Sequence, residues 1–343
     1  MKPLGRLLAM LLAVTVLFCF SSALAETSSS ATEAAAPAAT AVPVETPIKI
    51  GIIQLVEHPA LDASCQGFLD ALKDNGYIDG QNIVVDFQNG QGDQSNLATI
   101  ADRFVANKSD LILAIATPAA LAVAGKTTEI PILATAITDF VSSRLVESNE
   151  APGTNVSGTS DMASIADQIA LIKDFAPEAK TVGLLYNSGE VNSVIQADAA
   201  KTAIEAAGYT YVEKTITSSN EVQQAAEALV RICDVIYLPT DNVIASSMPL
   251  VSAVTVDAKI PVICGEEGMV RSGGLATLGI NYYKLGYQTG LMAVKLFQDP
   301  TLKISEMPIE WQTEFDYCVN GTIAGEIGLT VPEAYLPFVF EME

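Results

Sequence analysis

The sequence predicts an α/β fold made of two similar lobes, each with a parallel β-sheet. The chain has 343 residues, and 50% of them are hydrophobic while only 6% are aromatic. This length exceeds one ordinary domain and suits two lobes of about 120–150 residues each. In addition, strand-length aliphatic runs alternate with helical stripes, and this alternation occurs twice along the chain. Such a pattern is typical of parallel sheets that helices cover on both faces.

The first series of strands and helices begins at Ile48. Its predicted strands cover residues 48–54, 82–87, 111–116 and 130–135. A helical stripe that includes Leu61, Cys65 and Leu72 follows the first strand and ends at the Asn75-Gly76 pair. The third strand runs directly into Thr117-Pro118, which places proline in its favoured position at the start of a helix.

The second series repeats the pattern in the later half of the chain. Its predicted strands cover residues 181–186, 209–216, 234–238, 261–264 and 275–280. A long helix at about 283–297 closes the series before Asp299-Pro300. The polar stretch 149–158 contains Pro152 and Gly153, and we expect the chain to cross there from the first lobe to the second.

The amino-terminal segment has the features of an export signal. Lys2 and Arg6 precede an apolar run at 7–20, and Ala23-Leu24-Ala25 forms the A-x-A cleavage pattern, so residues 1–25 are predicted to be a signal peptide. Residues 26–47 are rich in Ala, Ser, Thr and Pro and are predicted to be a flexible tether. The protein is therefore expected outside the cytoplasm, in the periplasm or on the outer side of a membrane. A lipid anchor at Cys19 is the alternative, although Phe18 makes a poor lipidation signal.

Composition and charge exclude several function classes. The formal net charge of −22 disfavours nucleic acids and anionic membrane surfaces, because both attract basic proteins. A single histidine, His58, and the absence of C-x-x-C pairs argue against a metal site. No nucleotide-binding or nucleophile motif occurs in the chain, so we predict neither catalysis nor a cofactor. Four cysteines outside the signal peptide favour buried free thiols but leave a disulfide open; they are Cys65, Cys233, Cys264 and Cys318.

Polar residues follow nearly every predicted strand, in both halves of the chain. In open α/β sheets, ligands bind beyond the carboxyl ends of the strands, so these residues are candidates for a ligand site. The candidates are Gln54, His58, Thr117, Pro118, Ala119, Thr138, Asp139, Ser160, Asp161, Asn187, Asn192, Asp241 and Glu266.

The chemistry of these candidates suits a zwitterionic α-amino acid. Thr117 lies at a helix N-terminus, which attracts a carboxylate. Asp139, Asp161 and Asp241 are candidates to pair with an ammonium group. The alternative is that Thr117, Ser160, Asp161 and Asp241 only cap helices. His58 either contacts the ligand or only marks the turn before Pro59.

Several of these segments resemble a known family. They are HPALD at 58–62, DLILAIATPAA at 110–120, ITD at 137–139, NVSGTSD at 155–161, LYNSGEVNS at 185–193, PTDN at 239–242 and GINYYKLGYQTG at 279–290. Together they resemble the tryptophan/tyrosine-type substrate-binding proteins of ABC transporters, over nearly the whole chain from Ile48 to about Trp311. One departure is Phe140, where the family usually has proline, so one wall of the pocket is expected to differ.

The resemblance implies a type I periplasmic-binding protein fold with two Rossmann-like lobes joined by a three-segment hinge. It places residues 48–158 and about 282–309 in the first lobe, and 159–281 and about 310–343 in the second. It further implies a monomeric receptor that closes on a small polar ligand, an amino acid and possibly aromatic, and delivers it to a membrane permease. A ligand-sensing module for a receptor or kinase is an alternative, as is an exported enzyme acting on a small metabolite.

Overall fold

The computed structural model describes residues 41–342 of the chain. The predicted signal peptide, Cys19 and the part of the predicted tether up to residue 40 lie outside the described residues. Within the described part of the chain, no helix combines the length and apolar character needed to cross a membrane.

The first half of the described chain builds one sheet, flanked by helices. Its strands are β1 (Ile48–Gln54), β2 (Ile83–Asn89), β3 (Leu111–Ile115), β4 (Ile132–Ile137) and β5 (Val156–Ser160). The connecting helices are α1 (Pro59–Asp74), α2 (Gln94–Ala106) and α3 (Thr117–Ala124). All neighbouring strands pair in parallel, as the alternation of strands and helices predicts.

The second half builds a second sheet in the same manner. Its strands are β6 (Thr181–Asn187), β7 (Thr210–Ile216), β8 (Val235–Leu238), β9 (Val262–Cys264) and β10 (Ala276–Gly279). Its helices are α4 (Ile165–Phe175), α5 (Val191–Ala206), α6 (Val222–Leu229), α7 (Asn242–Ser246), α8 (Met248–Ala258) and α9 (Glu267–Arg271). The single predicted helix at 243–258 is split into α7 and α8, because Ser247 departs from helical geometry just before Pro249.

The last third of the chain contributes to both sheets. The helix α10 (Tyr282–Gln298) packs against α1, and β11 (Glu310–Trp311) pairs with β5 at the edge of the first sheet. The remaining elements, β12 (Asp316–Asn320), α11 (Gly321–Ile327) and β13 (Val339–Phe340), belong to the second sheet. The strand orders are β11-β5-β4-β3-β1-β2 and β13-β12-β10-β9-β8-β6-β7, and only the β10–β12 pair is antiparallel among them. The chain thus passes between the sheets three times, at residues 161–164, 280–281 and 312–315.

The expected first crossing at residues 149–158 lies elsewhere, because part of that stretch is a strand. Residues 156–160 form β5 inside the first sheet, and the crossing comes after Ser160. This strand has the sequence VSGTS and lacks an apolar pattern. Its side chains make hydroxyl contacts instead. The hydroxyl of Thr159 lies 3.0 Å from that of Thr135 and 2.8 Å from that of Thr289. A Cβ on Gly158 would overlap the carbonyl of Ala134, so β4 and β5 approach closely only with glycine here.

The start of the folded region also differs from the sequence expectation. The sequence predicts that residues 41–47 belong to the tether, yet Val42 is hydrogen-bonded to residues beside the first sheet. Its N–H donates to the Gly76 carbonyl at 2.9 Å, and its carbonyl accepts from the Asn82 side chain at 2.8 Å. Contacts with the first lobe are therefore already present several residues before β1.

The four cysteines of the described region are free and buried, as the sequence favoured. Burial raises the pKa of the Cys65 thiol to about 12 and that of Cys233 to about 11. A thiol with such a pKa is protonated at neutral pH and is a poor nucleophile. These side chains therefore serve as small apolar core residues.

Candidate functional site

A cavity lies between the two sheets, at the carboxyl ends of their strands. Its free volume is only about 10 Å³, because the two sheets lie close together around it. Its lining comprises His58, Leu61, Ala136, Thr138, Asp161, Asn192, Thr240, Asp241, Asn242, Ala245, Glu266 and Tyr282. Six of these residues are sequence candidates: His58, Thr138, Asp161, Asn192, Asp241 and Glu266.

A larger surface cavity of about 890 Å³ lies at the opposite end of the first sheet. It is lined by the first residues of β1 and β3 and by apolar side chains such as Phe297 and Ile304. None of the sequence candidates lines it. Because α/β proteins bind ligands beyond the carboxyl ends of their strands, the smaller inter-sheet cavity is the better candidate site.

Two side-chain contacts connect the halves of the molecule across this cavity. Nε2 of His58, at the start of α1, lies 3.3 Å from Oδ1 of Asn242, the first residue of α7. Nε2 of Gln196, on α5, donates to Oγ1 of Thr138 at 3.0 Å. Gln196 in turn accepts a bond from the N–H of Thr240 at 3.1 Å. Polar contacts therefore join the two sheets at two places beside the cavity.

The hydrogen bonds of Asn242 determine the tautomer of His58. Nδ2 of Asn242 donates to Oε2 of Glu190 at 2.6 Å, so Oδ1 is the atom that faces His58. An amide oxygen only accepts hydrogen bonds, and Nε2 of His58 must therefore carry the proton. Burial lowers the pKa of His58 to about 4, so the ring is neutral at physiological pH. The remaining ring nitrogen, Nδ1, is thus an acceptor.

Three acceptor atoms in the cavity lining lack a hydrogen-bond partner among the described residues. They are Nδ1 of His58, Oδ1 of Asp161 and Oδ1 of Asn192. The other oxygen of Asp161 accepts from the Tyr282 hydroxyl at 2.7 Å, and the amide nitrogen of Asn192 donates to Glu190 at 3.2 Å. Buried polar groups are nearly always satisfied in proteins, so three unsatisfied acceptors in one cavity indicate a binding site for a donor.

The cavity is also rich in buried carboxylates. Asp161, Glu190, Asp241 and Glu266 are all less than 7% exposed, and no lysine or arginine of the described region is buried. Burial raises the pKa of all four carboxyl groups, and those of Glu190 and Glu266 reach about 7. This electrostatic environment disfavours further anions and favours a positively charged group.

Two of these carboxylates are engaged by backbone N–H groups. Oδ1 and Oδ2 of Asp241 accept from the N–H groups of Ile244 and Asn187 at 2.9 and 2.5 Å. Glu266 accepts from the N–H groups of Met269, at 2.7 Å, and Gly268. The capping role that the sequence left open for Asp241 is therefore present, and Glu266 is a cap as well.

The Thr117 element does not line the cavity, although its hydroxyl is buried without a partner among the described residues. Pro118 follows at the start of α3, and Ala119 is fully buried. The first N–H groups of a helix have no partner within that helix. The N-terminus of α3 therefore combines an unpaired hydroxyl with available backbone donors, at the same sheet edge as the cavity.

The residue that turns the chain into α3 has a rare backbone conformation. Ala116 has φ 80° and ψ 151°, a region that residues other than glycine seldom adopt. Such outliers cluster at functional sites, where surrounding structure maintains them. Nothing in the amino-acid pattern of this strand end predicts the conformation.

We expect Ala116→Gly to raise the free energy of unfolding by about 1 kcal/mol. Relief of about 1–3 kcal/mol of backbone strain exceeds the entropic cost of glycine, about 0.5–1 kcal/mol. Urea unfolding of the ligand-free protein measures the difference. Ala114→Gly in the middle of β3 is the control and should destabilise, because Ala114 is a buried strand residue without positive φ. Destabilisation by both substitutions would contradict the strain at Ala116.

The four remaining candidates lie outside the cavity lining and have local partners. Gln54 donates to Oδ1 of Asp62 at 2.6 Å, and its own side-chain oxygen lacks a partner in the described region. Asp139 accepts from the N–H and hydroxyl of Ser142, both at 2.9 Å. The Ser160 hydroxyl donates to the Thr138 carbonyl at 2.9 Å, and Asn187 bonds within its own turn. Phe140, the departure from the family pattern, packs in the core of the first sheet rather than in the cavity wall.

The structure adds lining residues that the candidate set lacks: Leu61, Ala136, Thr240, Asn242, Ala245 and Tyr282. Thr240, Asn242 and Tyr282 each lie within a few residues of a strand end. That position is the sequence signal that could have identified them as lining residues. Leu61 and Ala245 are helix residues whose apolar side chains are indistinguishable from core residues in the sequence. Glu190 and Gln196 do not line the cavity, but they are hydrogen-bonded to residues that do.

The raised pKa values predict that the ligand-free protein loses stability as pH rises. A carboxyl group whose pKa is higher in the folded state than its usual 4.5 stabilises the fold below pH 4.5, and that contribution is lost as pH rises through 7. We expect the melting temperature to be about 5 °C lower at pH 8 than at pH 5. Glu266→Gln should reduce this difference in thermal unfolding, and the exposed Glu205→Gln should not. A melting temperature that rises with pH would contradict the prediction.

Comparisons with known proteins agree with this geometry. The sequence profile described as ABC transporter substrate binding protein matches residues 49–342. A tyrosine-binding protein from Clostridioides difficile strain R20291 is 49% identical over 271 residues, which are 79% of this chain and 78% of the relative.

Solved structures give the same result at the level of the fold. An ABC domain from Streptococcus pneumonia in complex with L-Trp is 37% identical, with a TM-score of 0.82 over 87% of this chain and 100% of that chain. A ligand-free, open substrate-binding protein with adhesive properties from Clostridium difficile is 49% identical, with a TM-score of 0.66 over 86% of this chain and 100% of that chain.

The two parallel sheets with three crossings have the type I periplasmic-binding protein architecture that the resemblance implied. A leucine-binding protein from Thermotoga maritima, only 16% identical, shares this fold with a TM-score of 0.57 over 76% of this chain and 86% of that chain. The profile match over 49–342 and the 49% identical relative establish the family at the level of sequence. The chain belongs to the ABC transporter substrate binding protein family.

Proposed function

We propose that this protein is the extracytoplasmic receptor of an ABC importer and that it captures an α-amino acid, preferably an aromatic one, between its two sheets. Residues 1–25 would direct export, and a membrane permease would receive the ligand. The two sheets would act as lobes that hinge at the three crossings, near residues 161–164, 280–281 and 312–315.

The observation that carries the proposal is the set of three unsatisfied acceptors in one buried cavity. A primary ammonium group has three N–H donors, and His58 Nδ1, Asp161 Oδ1 and Asn192 Oδ1 are three acceptors without partners among the described residues. Asp161 also supplies a negative charge that neither a buried lysine nor a buried arginine of the described region neutralises. This arrangement is suited to the ammonium end of an amino acid.

The carboxylate end would bind at the N-terminus of α3. The Thr117 hydroxyl is buried and unpaired among the described residues, and the first N–H groups of α3 are donors at the positive end of the helix dipole. Separate sites for the two charges favour a zwitterion over a simple amine or a simple acid. Leu61, Ala136 and Ala245 provide the apolar part of the cavity lining, where we place the ligand side chain; the cavity, at about 10 Å³, would have to widen to admit it.

The comparison of TM-scores supports closure around the ligand. The 49% identical open structure is less similar to this chain, at 0.66, than the 37% identical structure with L-Trp, at 0.82. Sequence identity alone would give the opposite order. A different arrangement of the lobes would account for the inversion, and the His58–Asn242 and Gln196–Thr138 contacts between the sheets fit a closed arrangement. A ligand that bridges both lobes would shift the population towards this form.

Titration calorimetry of residues 26–343 with a small panel tests the function. L-tyrosine, L-tryptophan and L-leucine carry both charges, whereas 3-(4-hydroxyphenyl)propanoate lacks the ammonium group and tyramine lacks the carboxylate. We expect an aromatic amino acid to bind most tightly and both single-charge analogues to bind much more weakly, because each leaves buried polar groups unpaired. Binding of sugars or nucleosides with no response to any amino acid would overturn the proposal.

A further inference from the structure

We infer that Glu190 is the positioning residue that makes this cleft selective for an ammonium group, by fixing the amide orientations of Asn192 and Asn242. The inference rests on the proposed function, because it explains how two of the three acceptors are held. Glu190 itself does not line the cavity and would not touch the ligand.

Glu190 is buried and is bonded to three asparagine side chains. Its Oε1 accepts from Nδ2 of Asn187 at 3.3 Å. Its Oε2 accepts from Nδ2 of Asn192 at 3.2 Å and from Nδ2 of Asn242 at 2.6 Å. Glu190 occupies the N-cap position of α5, yet its side chain makes no capping bond there. The carboxylate is thus committed to the asparagine amides and not to the helix.

An ionised carboxylate accepts hydrogen bonds only, so it fixes which end of each amide faces it. Nδ2 of Asn192 donates to Glu190 at 3.2 Å and to the Thr240 carbonyl at 3.3 Å, so its Oδ1 remains as the unsatisfied acceptor of the cavity. With Nδ2 of Asn242 directed to Glu190, Oδ1 of Asn242 faces His58 and leaves the proton on Nε2 of that ring. Glu190 therefore sets the acceptor at His58 Nδ1 through Asn242, and it shares the orientation of Asn192 with the Thr240 carbonyl. The third acceptor, on Asp161, does not depend on it.

Replacing Glu190 by glutamine removes this constraint while keeping the size of the side chain. A glutamine both donates and accepts, so the Asn242 amide can reverse, which moves the proton of His58 to Nδ1 and presents an N–H group to the cavity. The Asn192 amide loses its charged partner and is then held by the Thr240 carbonyl. N–H groups would oppose a ligand ammonium but would not oppose a ligand that lacks one. A loss confined to ammonium-bearing ligands therefore distinguishes positioning from a general structural role.

The test compares L-tyrosine with 3-(4-hydroxyphenyl)propanoate, by calorimetry at pH 8 and by displacement for the weaker ligand. We expect Glu190→Gln to weaken L-tyrosine binding about tenfold, the size of one lost charge-assisted hydrogen bond, and to change binding of the des-amino acid less than about twofold. Equal losses for both ligands, or unchanged binding of L-tyrosine, would overturn the inference. Failure of the wild-type protein to bind any amino acid would instead overturn the proposed function.

The pH profile gives a second readout that a structural role would not move. Burial and the neighbouring Asp241 raise the pKa of Glu190 to about 7, so protonation of Glu190 should reduce the preference for L-tyrosine between pH 8 and pH 6. The other titratable groups around this site are His58, Asp161, Asp241 and Glu266. All four remain in Glu190→Gln, but loss of the Glu190 charge also affects the neighbouring Asp241, so a shallower profile in the variant assigns the difference to Glu190 together with Asp241. Identical profiles would count against it.

The experiment includes a charge-matched control variant and a second variant for the case in which Glu190→Gln does not fold. Glu205→Gln makes the same charge change on an exposed position of α5 and should leave both affinities unaltered. If Glu190→Gln does not fold, Asn192→Ala removes one of the positioned acceptors directly and should reduce the same preference for L-tyrosine. An unchanged preference in a folded Asn192→Ala protein would overturn the inference.

Discussion

Asp161→Asn should weaken the binding of an α-amino acid about 100-fold, as calorimetry at pH 7.5 would measure. The substitution keeps the shape of the side chain, and an amide oxygen can still accept the bond that the Tyr282 hydroxyl donates to Asp161. It removes the charge that faces the ligand ammonium and places an NH₂ group where Oδ1 has no partner in the described region. Removing one partner of a buried charge pair costs about 2–5 kcal/mol, and about 2.7 kcal/mol corresponds to 100-fold.

Asp241→Asn is the matched control, because Asp241 lines the same cavity and is equally buried. Both of its oxygens already accept backbone N–H groups, from Ile244 and Asn187. We therefore expect a loss of about 1–2 kcal/mol in the free energy of unfolding and a change in affinity below about fivefold. A larger loss of affinity at Asp241 than at Asp161 would move the ammonium site to Asp241.

The contrast between these two aspartates shows where sequence reasoning stops. Asp139, Asp161 and Asp241 all follow a strand and precede a turn or helix, so the sequence gives them equal claims to the ligand. Only the three-dimensional hydrogen bonds separate them: the carboxylates of Asp139 and Asp241 are engaged by nearby groups, whereas one oxygen of Asp161 is not. The sequence predicts the sheet edge at which the ligand site lies. It does not predict which aspartate there has an oxygen without a hydrogen-bond partner among the described residues.

The fold was predictable wherever apolar periodicity is strong. Strand β3 is a continuous aliphatic run, β8 is a continuous apolar run and β1 is mostly aliphatic, so their assignment follows from composition and length. Strand β5 was missed because its side chains are hydroxyls and a glycine, which satisfy one another across β4 and α10. Polar contacts of this kind depend on which elements become neighbours, so a single segment does not reveal them.

Glu190 and His58 illustrate a second limit. Glu190 is not among the sequence candidates, and the structure shows that its buried side chain bonds three asparagine amides. The sequence left His58 equally divided between ligand contact and turn residue. Its place in the cavity lining and its contact with Asn242 favour the first of these.

The packing of α1 against α10 carries the largest expected effect on stability. Gly67 on α1 and Gly286 and Gly290 on α10 lie where the two backbones meet. A Cβ on Gly286 would overlap the backbone carbonyl of Ser64, and a Cβ on Gly67 would overlap that of Tyr283. Backbone atoms cannot rotate away as a side chain can, so the helices would have to separate.

We expect Gly286→Ala to lower the free energy of unfolding by about 3 kcal/mol and the melting temperature by about 10 °C in thermal and urea unfolding. Gly325→Ala is the control: it lies in α11 with no atom within 4 Å of its added Cβ, and should stabilise by about 0.5–1 kcal/mol through helix propensity alone. Similar effects of both substitutions would contradict the close approach of α1 and α10. Because α10 begins at Tyr282, whose hydroxyl holds Asp161, displacement of this helix should also weaken ligand binding.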